Sequence, residues 1–258
     1  AGNRGEPATP RDGAAVEIQG LAYAVLSAMS GWVDAGYIQS TGVSQDGESW
    51  TWSQWASLIK TNFETHFFVD SNQDGKFVNR RNIVKDTLDS SLGFPDFQLR
   101  CNFPIALTTA PSLLDPHNAW MALDMAKEHL LGPLGIKTLD PSDWAYNGYY
   151  NNDDDGYDKK TAKGWNYHQG PEWIWVAGFY LRARLAIGKA LGGSHLEAAM
   201  NEVQSRLGNY YKHIKDSPWS SLPELTNSNG SYCPGSCPAQ AWSVGCILEA
   251  CLDFADLS

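Results

Sequence analysis

Apolar residues recur along this chain with a helical period. From Ile18 they fall at Leu21, Ala22, Val25 and Met29, the i, i+3, i+4, i+7, i+11 stripe of one helix face. Trp52, Trp55, Ala56, Ile59, Phe63 and Phe67 repeat the pattern. Asp115 as N-cap and Pro116 in the first turn open a third helix with the stripe Ala119, Ala122, Leu123, Ala126 and Leu130, stopped by Gly132. A fourth is predicted from near Pro171 to Gly192-Gly193, with Trp173, Val176, Ala177, Tyr180 and Leu181 on one side. A capping box, Ser194 to Glu197, predicts the start of a fifth, carrying Leu196, Met200, Val203, Leu207, Tyr210 and Tyr211. A sixth covers about Ala239 to Ala255. No comparable run shows the two-residue period of a strand, so the chain is predicted to be all-α.

The connections near 70–98, 133–170 and 215–238 are long and polar, yet they hold Trp, Tyr and Phe. Loops of that length belong to function or to disorder, and aromatic content argues for order. Helices joined by long aromatic loops predict a ring of helix pairs with its site at the loop end. No linker divides the chain, and residues 1–258 read as one domain.

Composition narrows the partners. Among 258 residues, 43% are hydrophobic, enough for one large core or two modest ones. Eleven Trp, eleven Tyr and nine Phe exceed what a core needs, which leaves aromatic surface for a cleft. The formal net charge of −10, with no basic block, argues against nucleic acid or an anionic membrane and fits a neutral substrate. No apolar run reaches the roughly 18 residues of a spanning helix, so no membrane partner is expected. The opening AGNRGEPATPRDG reads as the interior of a longer protein. Five cysteines are an odd number, and Cys246 and Cys251, within an apolar helical stretch, are expected as buried thiols. Cys233 and Cys237 lack a second pair for zinc, and a reducing, cytoplasmic setting is expected.

Three segments carry the candidate chemistry: Leu99–Phe103, Tyr167–Trp173 and Leu222–Trp242. Each sets Arg, Asn, His, Gln or Glu beside aromatics at the end of a predicted helix. A sugar offers hydroxyls at its edge and C–H groups on its faces, so its site needs hydrogen-bonders next to aromatic platforms. His168 reads either as a histidine capping backbone or as half of a His-Gln pair facing the site, with Trp173 as a stacking wall. Glu224, fixed by Pro223 and lying between Trp219 and Trp242 in sequence, has the features of a general base. Asp70 to Gly75 imitates a calcium loop but has Arg81 at the twelfth place, which requires Glu. The acidic run Asn151–Asp155 has Ala162 there, and both are expected to be surface loops.

Five stretches in order, TPRDGAAVEIQGL, LRCNFPIA, LLGPLGIKTLDPSD, YHQGPEW and LPELTN…CPAQAWSVGCILEA, resemble the carboxy-terminal glucosidase region of eukaryotic glycogen debranching enzymes. The resemblance implies an (α/α)6 barrel, here incomplete, that removes the single α-1,6-linked glucose of a trimmed glycogen branch with inversion. It implies Glu224 as general base and Arg11, Glu17, Arg100, Asn102, His168, Gln169, Trp173 and Gln240 as substrate-binding residues. Cys101 replaces a proline common in the family. The partners implied are glycogen, or another branched α-glucan, and an upstream glucanotransferase domain; no metal or organic cofactor is called for. The family's general-acid Asp precedes the first motif, and nothing ahead of Thr9 resembles its segment, so the acid is expected upstream. Asp140 is the first substitute to consider within the chain. Alternatives are a non-catalytic glycogen-binding fragment or another helical-barrel α-glucosidase.

Overall fold

The computed structural model describes residues 7–258; of the opening stretch, residues 1–6 lie outside it. Eight α-helices carry the fold: α1 (Val16–Asp34), α2 (Trp52–Phe67), α3 (Phe103–Thr109), α4 (Pro116–His129), α5 (Lys163–Asn166), α6 (Ile174–Leu191), α7 (Gly193–Asp216) and α8 (Ala241–Ala255). Asp115 caps α4 as predicted, accepting from the His117 and Asn118 N–H groups at 2.8 and 3.3 Å. The Ser194 to Glu197 box does not cap α7. That helix starts at Gly193, and its N-cap is Gly192, at φ 69°, with no side-chain cap. A capping box forms instead at Thr51 and Gln54, ahead of α2.

The strands are short. The pattern missed a hairpin, Gly42–Gln45 against Glu48–Thr51, whose two-residue turn is Asp46-Gly47 at φ 53° and 84°. Left-handed backbone at both turn positions matches strand twist, and Asp-Gly tolerates it. It also missed a three-stranded sheet that pairs Ile136–Lys137, Glu172–Trp173 and Leu225–Thr226, because two-residue strands hold no alternation to read.

Helix packing builds an arc of two layers. α1 packs on α3, α3 on α6, and α6 on α8, while α2 lies against α1, and α4 and α7 against α6. The crossings are close because small residues face each other: Cβ on Gly20 would lie 2.5 Å from Ala106 Cα, and one on Gly178 2.5 Å from the Cys246 carbonyl. α1, α3, α6 and α8 line one concave cleft, which makes them the inner layer. No such packing joins α1 to α8 among the described residues, so the arc is open between its ends.

That openness overturns one reading of the pattern. On α1 the predicted core stripe is partly bare: Ile18, Leu21 and Val25 are 54%, 41% and 56% exposed, while Val16, Gly20 and Leu26 are buried. On α8, Leu248 and Leu252 are likewise exposed. α4 and α6 obey the rule, since their stripes meet neighbours on both sides. Cys246 and Cys251 are only partly buried, because α8 is an end of the arc; Cys101 and Cys233 are the deeply buried thiols.

Candidate active-site cleft

The cleft has a volume of about 820 Å³, and loop residues crown the N-terminal ends of the inner helices. Arg11 and Glu17 stand at the start of α1, Arg100 and Asn102 at α3, Gln169 and Trp173 at α6, and Glu224 and Gln240 ahead of α8. Residues far apart in sequence thus meet because four helices point the same end at one space.

Glu224 is held from both sides. Its backbone N–H donates to the Cys237 carbonyl at 2.9 Å, and its carbonyl accepts from Ile174 N–H at 3.2 Å. Its Oε1 accepts from Tyr167 Oη at 2.7 Å and from Gln240 Nε2 at 3.1 Å. The carboxylate lines the cleft, partly exposed. Tyr167, absent from the residues singled out in sequence, is therefore in direct contact with the candidate base.

Arg100 has all five N–H donors occupied by protein. They reach Gln98 Oε1, the Thr138 and His168 carbonyls, Thr9 Oγ1 and Gln169 Oε1 at 2.8–3.1 Å. Gln169, itself buried, also donates to Thr9 at 2.7 Å. The centre of this network is Asp86, a buried carboxylate from the middle of a long loop that no motif marked. It pairs with Arg11, lies 3.9 Å from Arg100, and accepts from Asn102 Nδ2 at 2.8 Å. Burial pushes the Asp86 carboxyl up, and Arg11, Arg100 and Asn102 work against that rise.

Arg11 also forks onto Glu17, with contacts of 2.9 and 2.7 Å to its two oxygens. Glu17 and Glu224 are the two carboxylates in the cleft lining among the described residues. Asp140 is elsewhere: it pairs with Arg80 at 2.7 Å and accepts from Ser142 N–H at 2.9 Å. Partial burial would raise its carboxyl, but Arg80 and Ser142 outweigh burial and hold it below the usual range.

The aromatics divide into supports and platforms. Trp173 is only 5% exposed, and its Nε1 donates to the Tyr167 carbonyl at 3.1 Å. It lines the cleft, yet most of its surface is covered, because Trp173 lies in the central strand of the small sheet. The open platform is Trp242, 53% exposed, with its other face stacked on Trp175 at 4.0 Å and 14°. His168 turns its ring to the cleft, between Tyr167 at 4.7 Å and Trp173 at 5.3 Å, and does not cap α6. The ring is exposed toward the cleft, and the protein around it, with Arg100 and Arg11 nearby, lowers its pKa.

The sheet beneath the cleft is locked by Glu172, fully buried. It accepts from Asn229 and Gly230 N–H at 2.9 and 3.1 Å and from Thr226 Oγ1 at 3.2 Å, with Lys137 Nζ at 3.7 Å. Burial raises its carboxyl, and these partners offset part of the rise.

The family model described as amylo-alpha-1,6-glucosidase matches residues 1–249. The chain belongs to this family. It is 41% identical, over 99% of its length, to the glycogen debranching enzyme of Saccharomyces cerevisiae, and spans 18% of that protein. Among solved structures it resembles neutral trehalase from Saccharomyces cerevisiae, with a TM-score of 0.58 and 11% identity, over 93% of this chain and 38% of that one. At that identity the likeness speaks for fold alone, and it shows the helical (α/α)6 barrel class. No helix among the described residues is long and apolar enough to cross a membrane.

Proposed function

We propose that this chain forms the base-bearing part of a glycoside hydrolase site that removes an α-1,6-linked glucose from a branched α-glucan with inversion. The observation that carries the reading is Glu224, held by two backbone and two side-chain hydrogen bonds on the wall of an aromatic cleft. Family membership and similarity to a glycogen debranching enzyme supply the substrate class.

In this mechanism a water attacks the anomeric carbon on the face opposite the leaving oxygen. Glu224 takes the water's proton as the new bond forms and the glycosidic bond breaks. A carboxylic acid protonates the departing oxygen, with the two carboxyl groups about 6.5–9.5 Å apart. Glu17 is poorly suited to be that acid: Arg11 donates to both of its oxygens, so neither is free to face a leaving group. Asp140 is bound to Arg80 outside the cleft lining. Neither carboxylate fits that role among the described residues, and the acid is assigned, as the family resemblance implies, to a segment ahead of Thr9. Arg100 acts on the substrate indirectly, by fixing Gln169 and the His168 backbone, and Trp242 offers an apolar face to a sugar ring.

The test is Glu224→Gln in the full-length protein. The amide keeps the shape but cannot accept the water's proton. Glucan binding is expected to persist while release of α-1,6-linked glucose falls about 10²–10⁴-fold; near-normal turnover removes Glu224 from the mechanism.

A further inference from the structure

A carboxylate has two equivalent oxygens and turns about its last bond, yet only one orientation suits the deprotonation of a water at a fixed point. In Glu224 the equivalence is broken. Tyr167 Oη and Gln240 Nε2 both donate to Oε1, and no described residue donates to Oε2. We infer that Tyr167, assisted by Gln240, is a positioning residue that fixes Glu224 so that Oε2 receives the water's proton. The inference rests on the reading of Glu224 as base.

The surroundings of Tyr167 suit this task. Its ring meets Trp173 edge-on at 4.8 Å and 72°, and its backbone carbonyl accepts from Trp173 Nε1. Tyr150 lies edge-on at 6.1 Å. A phenol wedged in this way points its hydroxyl in one direction, and the buried Trp173 gains a purpose as its support. Burial and the Glu224 carboxylate both raise the Tyr167 pKa, so the hydroxyl keeps its proton and remains a donor. The titratable groups facing Glu224 are Tyr167 itself, Tyr150 and the Cys233 thiol, which burial pushes up to about 11. Lys163 Nζ lies 5.6 Å from the Tyr167 ring centre, and no described cation pairs with Glu224. Its orientation therefore rests on the two hydrogen bonds to Oε1.

The experiment uses the full-length protein carrying Tyr167→Phe, which keeps the ring and removes the donor. Two substrates are compared: an α-1,6-branched oligoglucoside and α-D-glucosyl fluoride. With the fluoride, water bonds to the anomeric carbon, the C–F bond breaks, fluoride leaves with its electron pair, and the water's proton still goes to Glu224. Leaving-group protonation is not needed. Tyr167→Phe is expected to lower kcat about 10- to 100-fold on both substrates with KM within about twofold. Gln240→Met, which removes the other donor, should move the same quantities in the same direction, and it serves if the Phe variant fails to fold. Wild-type kcat in these variants, or a loss confined to the branched substrate, overturns the inference. Glu224→Gln separates the two failures: if it is inactive on both substrates while Tyr167→Phe is normal, the base reading stands and the positioning role falls. If Glu224→Gln turns over the fluoride normally, the base reading itself falls.

Discussion

At the residue scale, the cleft separates side chains that support from those that can touch a ligand, and the two Trp residues give the sharpest contrast. Trp173 is buried in the sheet and braces Tyr167; Trp242 keeps a face open. Trp173→Ala should cost about 3–5 kcal/mol of stability through the cavity it leaves, read as a lowered midpoint in chemical denaturation. Trp242→Ala should cost less than about 1.5 kcal/mol, the range of an aromatic pair, while raising the KM for branched glucan several-fold. A large stability loss at Trp242 with KM unchanged would remove it as a platform. Asp86 teaches a related lesson. Arg11, Arg100 and Asn102 were legible as a group through their motifs, but the carboxylate that gathers them was not, because its loop carries no pattern that marks burial.

At the element scale, the helices hold their geometry through close contacts at glycine. Gly178 in α6 sits against the Cys246 carbonyl of α8, and an added methyl would lie 2.5 Å from that oxygen. Gly178→Ala should therefore destabilise by about 1–3 kcal/mol through overpacking, despite alanine's better helix propensity. Gly208 in α7 has nothing within 4 Å of an added Cβ, so Gly208→Ala should stabilise by about 0.5–1 kcal/mol. Thermal melts of the two variants should shift in opposite directions; a stabilised Gly178→Ala would mean that α6 and α8 can part without cost. The small sheet does comparable work by register. It sets Trp173 opposite both Ile136 and Leu225, so the strand ahead of α6 is tied to the loop that carries Glu224.

At the scale of the whole molecule, the cleft is walled by four inner helices of an open arc, and among the described residues its two carboxylates are Glu224 and an Arg11-bound Glu17. The chain spans 18% of the yeast enzyme it resembles. Glycosides have poor leaving groups, and acid assistance is worth about 10²–10⁴ in rate. The 258-residue chain by itself is therefore expected to bind branched glucan weakly and release no measurable glucose. A longer form that includes the preceding region should be active, and Glu224→Gln should silence it. Release of glucose by the short chain at a comparable rate would place the acid among these residues, with Glu17→Gln the first variant to make. The bare stripes on α1 and α8 agree with that arrangement, since apolar faces of this kind are normally covered.

The sequence alone determined the helical class, the spans of α4 and α6 to within a turn, and the segments from which the site is built, because helical periodicity and local caps depend only on neighbours along the chain. Proline and flanking aromatics made Glu224 a candidate, which the family resemblance singled out as the base. Only the tertiary structure decided which apolar stripe is covered, since the stripe of α1 and that of α4 look alike until a neighbour is present or absent. It likewise decided that Trp173 is a brace, that Asp86 anchors two arginines, and that Tyr167 holds Glu224. Those roles arise where the N-terminal ends of α1, α3, α6 and α8 converge, and no spacing along the chain encodes a meeting of residues 57, 75 or 160 positions apart.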